Sequence, residues 1–188
     1  MKSFKVSDLM VPISEYATVS KNATLHEAVT ALEKAQSEFD STRYRHRAIL
    51  ILDDDGLVVG KMSQLDVLRA LEPKYEDMME QSQFQHRYGF TKKFMKSVLQ
   101  QYQMWDMPLN DICLKAGSQN VAKYMHTPTE GEFVNADDTL NVAINQLVLG
   151  HHQSLLVTRE KRIIGILRLT DVFAAVFHTM KACYDGQD

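Results

Sequence analysis

Hydrophobic positions recur along the chain with two periods. A short apolar stretch around Val19 reads as a strand, and Leu25, Ala28, Val29 and Leu32 then share one face of a helix. That helix opens at Thr24, three residues before Glu27, which is the spacing of a capping box. The run Ala-Ile-Leu-Ile-Leu at 48–52 is too short for a lone helix and rich in branched side chains, so it predicts a buried strand. Asp53-Asp54-Asp55-Gly56 is a tight turn. The segment after it returns as a second strand to make a hairpin, and 63–71 closes the unit as a short helix.

The same order then comes round again. An offset of 115 lays residues 6–32 on 121–147 without a gap, with identities at Val6, Met10, Glu15, Val19, Thr24, Leu25, Ala28 and Leu32. Average residue frequencies would give roughly two such identities. An offset of 105 lays 60–70 on 165–175, sharing a Gly, an Asp, a Val and the final Ala, so the first copy is ten residues longer between its halves. The second copy predicts strands at 133–134, 154–158 and 163–167, with helices at 139–149 and 170–180. The fold class is therefore α+β: two β-α-β-β-α repeats packed as a pseudo-twofold pair, with a long helix inserted between them. One unit of roughly 55 residues buries too little surface to stand comfortably alone, which is why the two should share a core and leave two related clefts. The boundaries are 1–71 for the first repeat, 72–120 for the insert, 121–180 for the second repeat and 181–188 for a C-terminal tail.

Within the insert, Phe84, Tyr88, Thr91, Met95, Val98, Tyr102 and Trp105 follow one another in steps of four and three, a seam along one helix face between Pro73 and Pro108. Gly89 would weaken its middle by roughly 1 kcal/mol relative to Ala and permit a bend there. The seam covers the protein's own core on one reading and forms a homodimer contact on the other.

Composition narrows the function classes. The chain has 188 residues, 45% of them hydrophobic and 24% charged, and a formal net charge of −3. No global basic field is present to draw in nucleic acid or an anionic membrane, and Arg43-Tyr44-Arg45-His46-Arg47 is the one concentrated basic stretch. Cys113 and Cys183 stand far apart without a CxxC, so neither a disulfide framework nor a zinc knuckle is indicated, and a reducing cytoplasm fits best. No apolar run approaches the roughly 20 residues that span a bilayer. Gly-Leu-Val-Val-Gly-Lys-Met at 56–62 resembles a phosphate-binding loop but is one residue short between its glycines, and Met62 stands where a hydroxyl should bind Mg²⁺. No GxSxG, HExxH or GxGxxG is present, which argues against an enzyme. His151-His152 is the one adjacent histidine pair, and chain neighbours seldom face one metal.

Each copy opens on V-x-x-x-M (Val6 to Met10; Val121 to Met125) and closes on a Gly with an Asp six residues on (Gly60 and Asp66; Gly165 and Asp171). In tandem, this arrangement resembles the CBS domain pair, or Bateman module. The resemblance covers about 120 residues, everything except the insert and the tails. It implies a non-catalytic regulatory module with no required cofactor, whose clefts take an adenine nucleotide such as AMP, ADP or ATP. It also admits a second reading, an interaction or oligomerisation module without a small-molecule ligand that acts on an unidentified regulated protein through the inserted helix.

The resemblance assigns Asp66 and Asp171 to the ribose diol, with Ser63 and Thr170 as nearby hydroxyls. Ser63-x-x-Asp66 also has capping-box spacing, and capping alone would account for it. Arg168 stands where the second copy should carry the Ser or Thr, where it could offer paired donors to a phosphate or fill the ribose subsite. His46 and Arg47 are similar to a His-Arg pair that reaches the phosphates in nucleotide-sensing CBS repeats. The second copy has His152-Gln153 there. The adenine pocket is implied at Pro12, Ala17 and Val19 in one copy and Thr127, Phe133 and Val134 in the other. The resemblance also implies that the opening segment of each repeat faces the Asp of its partner repeat. Glu132 stands where the first copy has Ala17, and would either crowd a base or accept its amino group.

Overall fold

The structure, a computed structural model, describes residues 4–39, 42–75 and 91–185. The first repeat contains helix α1 (Val6–Leu9), strands β1 (Val11–Pro12) and β2 (Thr18–Ser20), helix α2 (Leu25–Glu38), strands β3 (Ala48–Leu52) and β4 (Val58–Ser63), and helix α3 (Gln64–Ala70). The insert contributes α4 (Lys92–Gln101) and α5 (Leu109–Gly117). The second repeat contains β5 (Phe133–Asn135), α6 (Leu140–Leu149), β6 (Ser154–Arg159), β7 (Arg162–Arg168) and α7 (Leu169–Asp185).

Local signals account for most of these boundaries. Thr24 caps α2 reciprocally, its hydroxyl accepting from the Glu27 N–H at 3.2 Å while Glu27 Oε2 accepts from the Thr24 N–H at 2.7 Å. In the β3–β4 turn, Asp53 Oδ1 accepts from the N–H groups of Asp55 and Leu57, and Gly56 takes the left-handed φ of 76°. In the equivalent turn of the second repeat, Glu160 and Lys161 adopt φ of 49° and 64° without glycine.

The apolar run of β3 is buried on both faces because it separates two cores. Ile49 and Ile51 point into the first repeat's own core with Leu25, Ala28, Leu32 and Met62. Ala48 and Leu50, one residue out of phase, point to a second cluster shared with Leu156 and Ile166 of the other repeat. In β6, Leu155 and Val157 enter the second repeat's core while Leu156 joins the shared cluster.

The sheets exchange their opening segments. β2, β3 and β4 form one sheet, and the other runs in the order β1-β7-β6-β5, so β1 of the first repeat lies antiparallel to β7 of the second, Val11 opposite Ile166 and Pro12 opposite Gly165. The counterpart is a bridge between Lys61 and His126, each N–H donating to the other's carbonyl at 3.0 and 2.8 Å. Val6 sits in the second repeat's core and Val121 in the first repeat's. A Cβ on Gly165 would come within 2.6 Å of the Val11 carbonyl oxygen and 3.0 Å of the Met10 sulfur, and one on Gly60 within 2.6 Å of the Met125 sulfur. The opening Val and Met and the closing Gly thus belong to one contact between repeats, made twice.

The insert departs from the single long helix expected of its seam. Thr91 is extended, with ψ of 151°, and caps α4 by accepting from the Phe94 N–H, so no helix runs through it. After α4 the chain turns left-handed at Gln103 (φ 47°) and Trp105 (φ 63°). Val98 and Met104 pack with Tyr75, Phe94 and Tyr102 in a small cluster of their own, whereas Met95 is half exposed. Phe84, Tyr88 and Gly89 lie outside the described residues. α5 returns to the first repeat and places Ala116 in its core. α7 runs five residues beyond the expected end at 180.

Candidate functional site

A cleft of about 750 Å³ opens between the end of the first repeat and the opening segment of the second. This size suits a small-molecule ligand. The end of β4 and helix α3 supply Lys61, Ser63, Asp66 and Arg69, and the chain leading into β3 supplies Arg45 and Arg47. Across the cleft stand Lys123, His126 and Glu132, and Gln153, Arg168 and Thr170 close a third side.

Asp66 does cap α3: its Oδ2 accepts from the Ser63 N–H at 2.8 Å and hydroxyl at 2.6 Å. Its Oδ1 is held by the half-exposed Arg69 at 3.1 Å. Arg69 reaches Asp66 from a half-exposed position, and such a solvent-accessible i,i+3 pair contributes about 1 kcal/mol, so a competing donor displaces Arg69 at little cost. Two of the first N–H groups of α3 are already taken, Gln64 by the Arg47 carbonyl and Asp66 by Ser63 Oγ. Charge in the cleft therefore comes from side chains. Lys61, Arg69 and Arg168 are paired with Glu132, Asp66 and Asp171, whereas Arg45, Arg47 and Lys123 make no ion pair among the described residues.

Asp171 is in a different state. Arg168 grips it through two parallel hydrogen bonds, Nε to Oδ2 at 2.5 Å and Nη2 to Oδ1 at 2.6 Å, with both side chains at least 92% buried. Arg168 Nη1 donates to the Tyr44 carbonyl at 2.6 Å and lies 3.3 Å from His46 Nδ1, and Arg43 stands 3.7 Å from Asp171. A second hollow of about 940 Å³ reaches Asp171 beside Asp8, Leu9 and Met10, but its walls are largely those of α7, among them Phe173 and Phe177. Arg168 thus already occupies both carboxylate oxygens that a diol would need. Thr170 lines the Asp66 cleft and not the hollow of Asp171.

His46 is a correction. It is fully buried between the rings of Tyr16 and Phe39, with centroids at 4.4 and 4.2 Å, and cannot reach a phosphate. The basic stretch runs directly into β3, and that adjacency did not show that His46 faces inward while its neighbours Arg45 and Arg47 face the cleft. The expected adenine residues also stand elsewhere. Ala17 and Val134 lie in the cores of their repeats, with Val19 packed against the first; Pro12 is taken up in β1; Phe133 packs on the shared cluster; Thr127 is exposed and lines neither cleft. The opening segments face the partner repeat's Asp at Met10 and at residues 123–126 instead.

Glu132, the residue in the Ala17 position, is the polar centre of the cleft's far wall. Its Oε1 accepts from the Thr129 N–H at 3.0 Å and pairs with His126 Nε2 at 2.5 Å, and its Oε2 pairs with Lys61. The equivalent contact on the opposite side is the apolar packing of Val11 and Ile166. Burial alone would raise the Glu132 pKa, but the hydrogen bonds from His126, Lys61 and Thr129 outweigh it and hold the carboxyl at about 2. His46 is pushed down to about 4, first by burial and then by Arg168.

Both shifts carry the same sign for stability. A base whose folded pKa is lowered, and a carboxyl whose folded pKa is lowered, each bind more protons in the unfolded chain. Acidification should therefore erode stability in two stages. The first runs from about pH 6.5 to 4 as the unfolded chain takes up the His46 proton, the second from about 4.5 towards 2 through Glu132. Urea unfolding across pH should show both stages in the parent protein, and His46→Gln should remove the upper one. An unchanged profile in that variant contradicts the assignment.

The CBS domain family profile matches residues 6–73 and 121–178. The chain belongs to the CBS-domain family, as a tandem pair with an insert between its repeats. CBSX2 from Arabidopsis thaliana, a CBS-pair protein, is similar in structure, with a TM-score of 0.59 at 18% identity over 96% of this chain and 99% of that one. The structure of CBSX2 in complex with AMP gives 0.57 at 17% identity over 94% and 98%. The CBS domain of a CBS-domain-containing membrane protein from Sphaerobacter thermophilus gives 0.59 at 15% over 92% and 88%. No curated protein sequence matches. CBS-pair proteins are regulatory, and at these identities the likeness establishes the fold. Among the described residues no helix is long and apolar enough to cross a membrane.

Proposed function

We propose that this protein is a non-catalytic, cytoplasmic regulatory module that binds one adenine nucleotide, AMP, ADP or ATP, in the Asp66 cleft. The observation that carries this reading is the company Asp66 keeps. A carboxylate with one oxygen committed to its helix cap and the other held by the displaceable Arg69 lies in one cleft with Arg45, Arg47 and Lys123, cations with no acidic partner among the described residues. In this reading Asp66 Oδ1 accepts a ribose hydroxyl, Ser63 and Thr170 face the sugar and phosphate, and Arg47 and the released Arg69 meet the phosphates. The Asp171 cleft stays empty of nucleotide, because opening it means separating a buried ion pair, which costs about 3–5 kcal/mol. Ligand shifts the population of repeat packings that differ in affinity for it.

Calorimetric titration with AMP, ADP and ATP tests the reading. The parent chain should bind, Asp66→Ala should not, and Arg47→Ala should weaken ATP more than AMP because it removes charge facing the longer phosphate chain. At one hundred times its Kd the ligand should add about 2.7 kcal/mol of stability. Unchanged affinity in Asp66→Ala would mean the nucleotide binds elsewhere.

The assembly reading gains support from α7. Leu169, Phe173, Phe177, Met180 and Tyr184 leave an exposed apolar stripe along one side of that helix, and Leu68 on α3 occupies the position equivalent to Phe173 and is equally exposed. Two helices related by a pseudo-twofold and apolar at matching positions suit an isologous contact with a second copy, a homodimer compatible with nucleotide binding.

A further inference from the structure

The back wall of the Asp66 cleft is not made by the repeats alone. Tyr75, at the start of the insert, lines the cleft beside Asp66 and Arg69. The same side chain packs in the insert's small apolar cluster with Val98 and Met104, and its ring meets Trp105 edge-on at 6.5 Å.

The joint behind Tyr75 is tightly built. Glu72 is buried, and its carboxylate accepts from the Lys74 N–H at 3.2 Å on one oxygen and the Trp105 N–H at 2.9 Å on the other. Lys74 Nζ donates to the Gln103 carbonyl and stands 3.8 Å from Asp106. These contacts hold the turn in which Gln103 and Trp105 both carry positive φ, a conformation that costs non-glycine residues about 1 kcal/mol or more each. One short stretch, 72–75, therefore touches the ligand cleft with one side chain and clamps a strained turn of the insert with the others.

We propose that Tyr75 is a ligand-contact residue of the Asp66 cleft, and that through it the insert registers whether the cleft is occupied. This rests on the nucleotide reading above. The chemistry is that of an aromatic face or edge against a planar base or a ribose. A ligand that shifts the Tyr75 ring necessarily shifts its packing against Trp105 and Val98, and so the orientation of α4.

The protein reports on this itself, because Trp105 is its single tryptophan. In the full-length chain, saturation with ATP or AMP should change the Trp105 emission, with a midpoint equal to the Kd from calorimetry. Tyr75→Ala should weaken affinity roughly tenfold and abolish the emission change. Glu72→Gln, which loosens the clamp without touching the cleft, should leave affinity within about twofold of the parent and reduce the emission change. Binding by calorimetry with an unmoved Trp105 signal overturns the inference while leaving the nucleotide reading intact, as does parental affinity in Tyr75→Ala. Absence of binding by calorimetry takes down both.

Discussion

Asp171→Ala is expected to destabilise the protein by about 3–5 kcal/mol, whereas Asp66→Ala at the equivalent position should cost only about 1 kcal/mol. Among the described residues Asp171 is the one carboxylate gripping Arg168, and its removal leaves a guanidinium 4% exposed with the Tyr44 carbonyl, His46 and the Phe39 ring for company. Asp66 is a helix cap paired with an exposed Arg69, so its loss leaves no charge stranded. Urea unfolding of the two variants beside the parent measures this directly. The contrast extends to function: the mild variant loses the ligand and the severe one, where it still folds, keeps its cleft. Equal costs at both positions would mean that the Arg168 pair is no more buried in solution than the Arg69 pair.

The second large effect concerns the glycines at the crossing of the repeats. Gly165→Ala should cost about 2–4 kcal/mol, by the measure of strain and overpacking in a packed interior, and lower the melting temperature by about 5–15 °C. The new Cβ meets the Val11 carbonyl at 2.6 Å, and that backbone is fixed in β1 against β7, so relief requires peeling the strand away. Gly60→Ala should cost less. Its closest contact is the Met125 sulfur, the mobile end of a flexible side chain, although the His126 carbonyl at 3.3 Å leaves limited room. Thermal unfolding of the two variants decides it, and a larger loss at Gly60 would contradict the exchange of opening segments as the reason for both glycines.

Much of this architecture was legible because it is written twice. The identities between residues 6–32 and 121–147 locate Val6 and Val121, Met10 and Met125 before any coordinate does, and the closing Gly and Asp locate the clefts. The five-residue apolar run of β3 signals burial on both faces, and the structure supplies the reason, two different cores with odd and even positions divided between them. The insert was less legible. A four-three seam is the pattern of a continuous helix, but it carries no information about Thr91, whose hydroxyl satisfies an α4 N–H and so ends any helix arriving from before it.

At the site, the departures from the repeat pattern proved more informative than the agreements. Arg168 in a hydroxyl position and Glu132 in an alanine position were both visible as oddities. Neither revealed its partner, since Asp171 is near in sequence but Tyr44 and His46 are more than a hundred residues away, as Lys61 is distant from Glu132. The inward face of His46 was hidden for the same reason: its environment is made by Phe39, Tyr16 and Arg168, three separate elements that only the packing of the repeats brings together.

The central claim is one nucleotide site per chain, at Asp66, with the equivalent Asp171 already bound by the protein's own arginine. Native mass spectrometry of the parent chain with excess ATP or AMP counts this directly. The account predicts one nucleotide for each chain in whatever assembly is observed, and none on Asp66→Ala. Two nucleotides per chain, or one that persists in Asp66→Ala, would contradict it.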